Sequence, residues 1–156
     1  LIFKTKAFRF FNEPIAVQWT SVYISPKMIV MSDLRFIAPF FIVADLRESV
    51  DFYVSKLAFE VLYITEGEDP YFAMLGRGQV SVMLKASGQP VPNHTRYEWA
   101  VWDAHISVAD PDALFAEFEA KGVNFNQSLE DNTDNIRGFS VTDPNGYRLF
   151  FGRPNA

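Results

Sequence analysis

The sequence predicts an α+β protein built from two consecutive β-α-β-β-β units. Three observations carry this. The tripeptide Val43-Ala44-Asp45 recurs as Val108-Ala109-Asp110, 65 residues later (108 − 43). Each copy joins a strand-like run to a stretch of helical spacing, with the Asp placed to cap the helix. Each helix is then followed by three more short strand-like runs, divided by turn residues. A repeat of this length is one supersecondary unit used twice.

The first unit opens with a strand over Phe36 to Val43. Asp45 and Glu48 stand at capping-box spacing. The helix runs to about Leu57, with Leu46, Val50, Tyr53 and Leu57 along one side. Strands follow at Phe59 to Thr65, Tyr71 to Leu75 and Gln79 to Ala86. The turns between them are Gly67-Glu68-Asp69-Pro70 and Gly76-Arg77-Gly78. Ser87 to His94, with Pro90 and Pro92, is a linker.

In the second unit, Trp102 to Val108 is the strand and Asp110 the cap. Pro111 sits at the first helical position, where its missing N–H costs nothing. Leu114, Phe115 and Phe118 form the apolar stripe, and Gly122 ends the helix. Strands follow at Val123 to Phe125, Arg137 to Thr142 and Tyr147 to Phe151. The turn Asp143-Pro144-Asn145-Gly146 feeds the last one. Residues 34 to 156 make the domain, with units at 34 to 88 and 99 to 154. Residues 1 to 33 are an N-terminal extension with two readings. It is either non-native, with translation starting at Met31, or it adds a strand at Val17 to Ile24 that covers a sheet edge.

Composition narrows the function. The chain has 156 residues, enough for one domain with a sizeable core. A net charge of −5 argues against a nucleic-acid footprint or an electrostatic membrane anchor. The absence of Cys removes thiol catalysis, zinc-thiolate sites and disulfides. Pro14 to Pro26 is too short and polar to span a bilayer. The N-terminus lacks the pattern of a signal peptide. The expected location is the cytoplasm. Sixteen Phe suit either an aromatic core or an apolar ligand cavity.

The stretches "ADLRESVDFYVSKLAFEV" and "VADPDALFAEFEAKGV", with the closing Asp143-Pro144-Asn145-Gly146 turn, resemble the vicinal oxygen chelate superfamily of glyoxalases, bleomycin-resistance proteins and extradiol dioxygenases. The resemblance spans Leu34 to Pro154. It implies two units that curl into a cupped mixed sheet with helices outside, a ligand cleft inside, and a homodimer. In the metal-dependent members, four strand positions carry His, Glu or Gln around a divalent ion. Here those positions fall on Ala38, Met83, Asp103 and Phe150. Ala, Met and Phe are not hard ligands. The expectation is therefore no metal and no cofactor.

Strand alternation assigns Ala38, Phe40, Ile42, Ser81, Met83, Lys85, Asp103, His105, Ser107, Arg148 and Phe150 to the inner face. The candidate ligand-binding residues are Phe40, Met83, Trp99, Trp102, Asp103, His105, Arg148 and Phe150. Trp99 and Trp102 are candidates for stacking on a planar ligand. The resemblance to bleomycin-resistance proteins implies a metal-free binding protein that sequesters an aromatic, antibiotic-like molecule. The alternative is an enzyme of the superfamily, a lyase, isomerase or oxygenase, with Asp103 and His105 as an acid/base pair. Asp103 and Arg148 have a plainer reading, a mutual pair across the cleft. A third reading fills the cleft with the protein's own side chains.

Overall fold

In the computed structural model, residues 36–155 are described. The expected extension and its strand at residues 17–24 lie outside them. The described chain is α+β: two four-stranded mixed sheets and two helices, one set for each repeat.

The first sheet holds β1 (Phe40–Val43), β2 (Glu60–Ile64), β3 (Phe72–Arg77) and β4 (Val80–Ala86). Its order is β1-β4-β3-β2. The second holds β5 (Ala104–Ser107), β6 (Phe125–Asp131), β7 (Ile136–Thr142) and β8 (Arg148–Pro154), in the matching order β5-β8-β7-β6. In each, the strand before the helix pairs parallel with the last strand of its unit. A parallel pair needs a crossover, which the helix and the next two strands supply. The registers repeat as well. Phe40 faces Met83, and His105, at the place of Phe40 in the repeat, faces Phe150.

Both helices start as their sequences predict. Asp45 Oδ1 accepts the Glu48 N–H at 3.0 Å and opens α1 (Leu46–Asp51). Asp110 Oδ1 accepts the Ala113 N–H at 3.0 Å and opens α2 (Pro111–Ala120). Each bond satisfies an N–H that the helix itself leaves free. The first helix departs from expectation after Asp51. A π-helical turn, Phe52–Lys56, carries the chain on, and Ala58 leaves it at a φ of 55°. The Phe59 N–H closes back onto the Tyr53 carbonyl at 2.9 Å, a Schellman-type exit without the usual glycine.

Strand β6 also differs: it runs to Asp131, well past the expected end at Phe125. Its polar residues Asn126, Gln127, Ser128 and Glu130 are poor strand formers by composition. They are tolerated because β6 is an edge strand whose exposed positions alternate with half-buried ones.

One core serves both sheets. Phe118 of α2 packs edge-on against Phe139 and Phe151 of the second sheet. Phe41 of β1 stacks on Tyr147, just before β8, at 4.2 Å. The polar bonds between the two repeats lie on the same helix-packed side. Tyr53 donates to Asp143 Oδ2 at 3.1 Å, and Asn145 Nδ2 donates to Ser49 Oγ at 2.9 Å. Arg77 pairs with Glu117 at 2.6 Å.

Candidate functional site

The inner face of the second sheet is built around Phe150. In register it lies between His105 on β5 and Ser140 on β7. Its ring stacks on Trp102, centroids 4.1 Å apart and planes 26° apart, and on His105 at 5.3 Å. The floor beneath is bare backbone. A Cβ at Gly138 would come 2.5 Å from Phe150 Cζ, and one at Gly152 would come 2.6 Å from Phe150 Cε1. Two glycines therefore let the ring lie flat on the sheet. The result is a Phe150 that is 0% exposed on a face that sequence alternation assigns to a cleft.

The polar groups around this stack divide into engaged and unengaged. Asp103 is engaged: its Oδ1 accepts the Asn93 N–H at 2.6 Å and its Oδ2 accepts the Arg148 N–H at 2.9 Å. It ties the linker to β8 through main-chain donors. The pairing with Arg148 is thus to the backbone, and no ion pair joins the two side chains among the described residues. No hydrogen bond joins Asp103 to His105 there either. His105 is exposed. Ser140 Oγ and Trp102 Nε1 are buried and have no partner among the described residues. Arg148 is half-buried, and its guanidinium also makes no hydrogen bond or ion pair there.

The other candidates lie elsewhere. Phe40 and Met83 face each other on the first sheet. Phe40 stacks on Phe72 at 6.1 Å, and Phe72 packs on Tyr63. Lys85 Nζ stands over the Tyr71 ring at 5.3 Å. Trp99 is 78% exposed and stacks on Tyr97, not on Trp102. Within one chain, then, the structure gathers Trp102, Asp103, His105, Arg148 and Phe150, and places Phe40 and Met83 on the other sheet. A groove of about 820 Å³ opens between Val80 to Val82 of β4 and Ala104 to Ser107 of β5, and His105 lines it. Its walls are mainly aliphatic and aromatic, and no charged Asp, Glu, Lys or Arg lines it.

A divalent cation does not fit the inner face. Ala38, Met83 and Phe150 offer no hard donor, and both Asp103 oxygens are taken. Among the described residues no group of three or more His, Cys, Asp or Glu side chains is placed to hold one.

The Asp143-Pro144-Asn145-Gly146 turn does more than its sequence announces. Asp143 Oδ1 accepts the Asn145 and Tyr147 N–H groups at 2.8 and 2.9 Å. Burial raises the Asp143 pKa to about 6, although these N–H bonds and the Tyr53 hydroxyl hold it down. Burial, with the Asp143 charge beside it, pushes the Tyr53 phenol well above its usual value. Asn145 Oδ1 accepts the Ala44 N–H at 2.9 Å. Tyr147 exchanges two bonds with Ile42, accepting its N–H at 3.2 Å and donating to its carbonyl at 2.9 Å. These cross-links position the start of β8, and hence Arg148 and Phe150.

The sequence matches the Glyoxalase/Bleomycin resistance protein/Dioxygenase superfamily over residues 35–151. No curated protein matches it. Among solved structures, TioX from Micromonospora sp. ML1 is similar at 23% identity and a TM-score of 0.59, over 78% of this chain and 97% of that one. TnmS3, an antibiotic binding protein from Streptomyces sp. CB03234, is similar at 21% identity and a TM-score of 0.57, over 77% and 97%. The bleomycin-binding protein from bleomycin-producing Streptomyces verticillus, complexed with copper(II)-bleomycin, is similar at 23% identity and a TM-score of 0.55, over 80% and 100%. At these identities the likeness is one of fold. No described helix is long and apolar enough to cross a membrane.

Proposed function

Because the chain belongs to the Glyoxalase/Bleomycin resistance protein/Dioxygenase superfamily, and its expected metal positions hold Ala38, Met83 and Phe150, we propose that it binds and sequesters a planar, antibiotic-like small molecule without turnover. The observation that carries this reading is the Trp102–Phe150 stack at 4.1 Å. Trp102, backed by the buried Phe150, with His105 beside it and Arg148 on the same face, suits recognition by stacking plus one oriented polar contact. Two proteins of this fold are named for binding small molecules, an antibiotic in one case and bleomycin, seen as copper(II)-bleomycin, in the other.

The reading includes a homodimer. Phe40 and Tyr63 remain 52% and 55% exposed on the inner face of the first sheet. A second copy that laid its first sheet opposite this chain's second sheet would close both faces by symmetry. Cytoplasmic residence is part of the same proposal.

Calorimetry of the purified chain against a panel of planar aromatic antibiotics tests the reading. One saturable site per chain with no product formed supports it. Absence of binding across the panel, or release of product from a bound compound, contradicts it.

A further inference from the structure

We propose that the inner face of the second sheet selects an aromatic anion, a planar ring bearing a carboxylate or phenolate, over an aromatic cation. This rests on the small-molecule reading above and adds the charge of the ligand.

The groups on this face that lack partners are hydrogen-bond donors or can act as donors. Arg148 follows the turn into β8 and lies on the same face as Phe150, two positions on. Arg148 is half-buried, and its guanidinium makes no ion pair among the described residues. Arg77 and Arg137, by contrast, are held by Glu117 and Asp112 at 2.6 Å each. A guanidinium has donors only, and so does an indole N–H. Trp102 Nε1 is buried with no acceptor supplied by the described residues. Ser140 Oγ, next to Phe150 in register, is in the same position. Trp102 Nε1 and Ser140 Oγ are sealed from solvent, so the donor that a ligand can reach is the Arg148 guanidinium, and a ligand that brings acceptor oxygens satisfies it.

The acids near this face do not answer that need. Asp103 lies at the foot of Arg148, but its oxygens accept the Asn93 and Arg148 N–H groups. Glu130 stands opposite Gly138 on the far edge strand β6, where Gln127 Nε2 donates to it at 2.9 Å. The net charge of −5 opposes an anion at long range. Salt screens that repulsion beyond about 8–10 Å, whereas a half-buried contact to Arg148 is screened less. Charge-assisted bonds from guanidinium to carboxylate are about twice as strong as neutral ones.

The test uses three ligands of one shape: naphthoate, naphthamide and naphthylmethylammonium. Their affinities for the full chain are measured by calorimetry near neutral pH at about 0.15 M salt, where the repulsion of the acidic chain is screened. Naphthoate is expected to bind more tightly than naphthamide by on the order of tenfold, with the ammonium weakest. Arg148→Gln should erase the naphthoate advantage and leave naphthamide affinity in place, while Arg148→Lys keeps part of it. Circular dichroism confirms that each variant is folded. Tightest binding by the ammonium, or a naphthoate advantage that survives in Arg148→Gln, overturns the proposal. Equal binding of all three overturns it while sparing the small-molecule reading. Binding of none, by a folded protein, overturns both.

Discussion

Tyr53 donates its hydroxyl to Asp143 Oδ2 at 3.1 Å, so a buried carboxylate joins the helical segment of one repeat to the closing turn of the other. Asp143 accepts three hydrogen bonds and still has its pKa raised to about 6, because burial outweighs them. A short turn that reads as local punctuation is the joint that aligns the two sheets.

This joint makes stability depend on pH. Folded Asp143 holds its proton up to about pH 6, while the ordinary value for Asp is 3.8. Between those values the folded state binds more protons than the unfolded chain, so stability rises as pH falls from neutrality. The gap corresponds to roughly 3 kcal/mol at most. Glu117, whose pKa Arg77 lowers, works in the opposite sense at more acid pH, so the gain ends near the ordinary carboxylate range. Urea unfolding between pH 7 and pH 4.5 should show the rise in wild type. Asp143→Asn should flatten it, since an amide can still accept the Asn145 and Tyr147 N–H groups and donate to Tyr53. An unchanged slope in that variant would refute the assignment.

Tyr147→Phe keeps the stack on Phe41 and deletes the hydroxyl that serves the Ile42 N–H and carbonyl. Leaving those main-chain groups unpaired should cost about 1–3 kcal/mol in chemical denaturation. Hydrogen exchange should quicken at the Ile42 amide, while the amides of β7, across the second sheet, keep their protection.

Phe150→Ala should cost about 3–5 kcal/mol, the range for a fully buried aromatic side chain. Trp102 loses its stacking partner and its emission should shift to the red. Gly152→Ala should destabilise even in the Phe150→Ala background, because the Arg137 carbonyl also stands 2.8 Å from the added Cβ. Thermal melts of the two single variants and the double variant separate these effects.

The fold was legible because its signals are local. Asp45 and Asp110 cap helices by bonding three residues on, and the recurrence of Val-Ala-Asp shows the duplication without any knowledge of tertiary contacts. The end of the first helix was not legible, since Ala58 takes a left-handed conformation that favours Gly and Asn. Strand β6 was hidden by polar residues that only its edge position tolerates.

The site was legible in part. Alternation correctly put Phe150, His105 and Arg148 on one face, because period two is a property of every strand. It could not show that Gly138 and Gly152 make a floor for Phe150, since that needs the register between β7 and β8. Nor could it show that Asp103 bonds to main-chain N–H groups from the linker and β8. Trp99 and Trp102 look equivalent in the sequence, yet Trp102 packs on Phe150 and Trp99 on Tyr97.

The salt dependence of binding follows from the half-buried place of Arg148. The advantage of an aromatic carboxylate over its amide should persist as ionic strength rises, because salt screens the long-range repulsion of the acidic chain more than the half-buried contact to Arg148, while the affinity of the amide stays nearly constant. Calorimetry of both ligands across a salt series checks this.

In the binding mode proposed above, an aromatic ligand rests on Trp102, which Phe150 backs from beneath. The most direct measurement is the emission of Trp102 alone, in a chain carrying Trp19→Phe and Trp99→Phe, during titration with a planar aromatic compound that calorimetry shows to bind. A saturable change in emission with the same affinity as the calorimetric isotherm is the predicted result. Heat of binding with no change in Trp102 emission would place the ligand elsewhere and contradict the account.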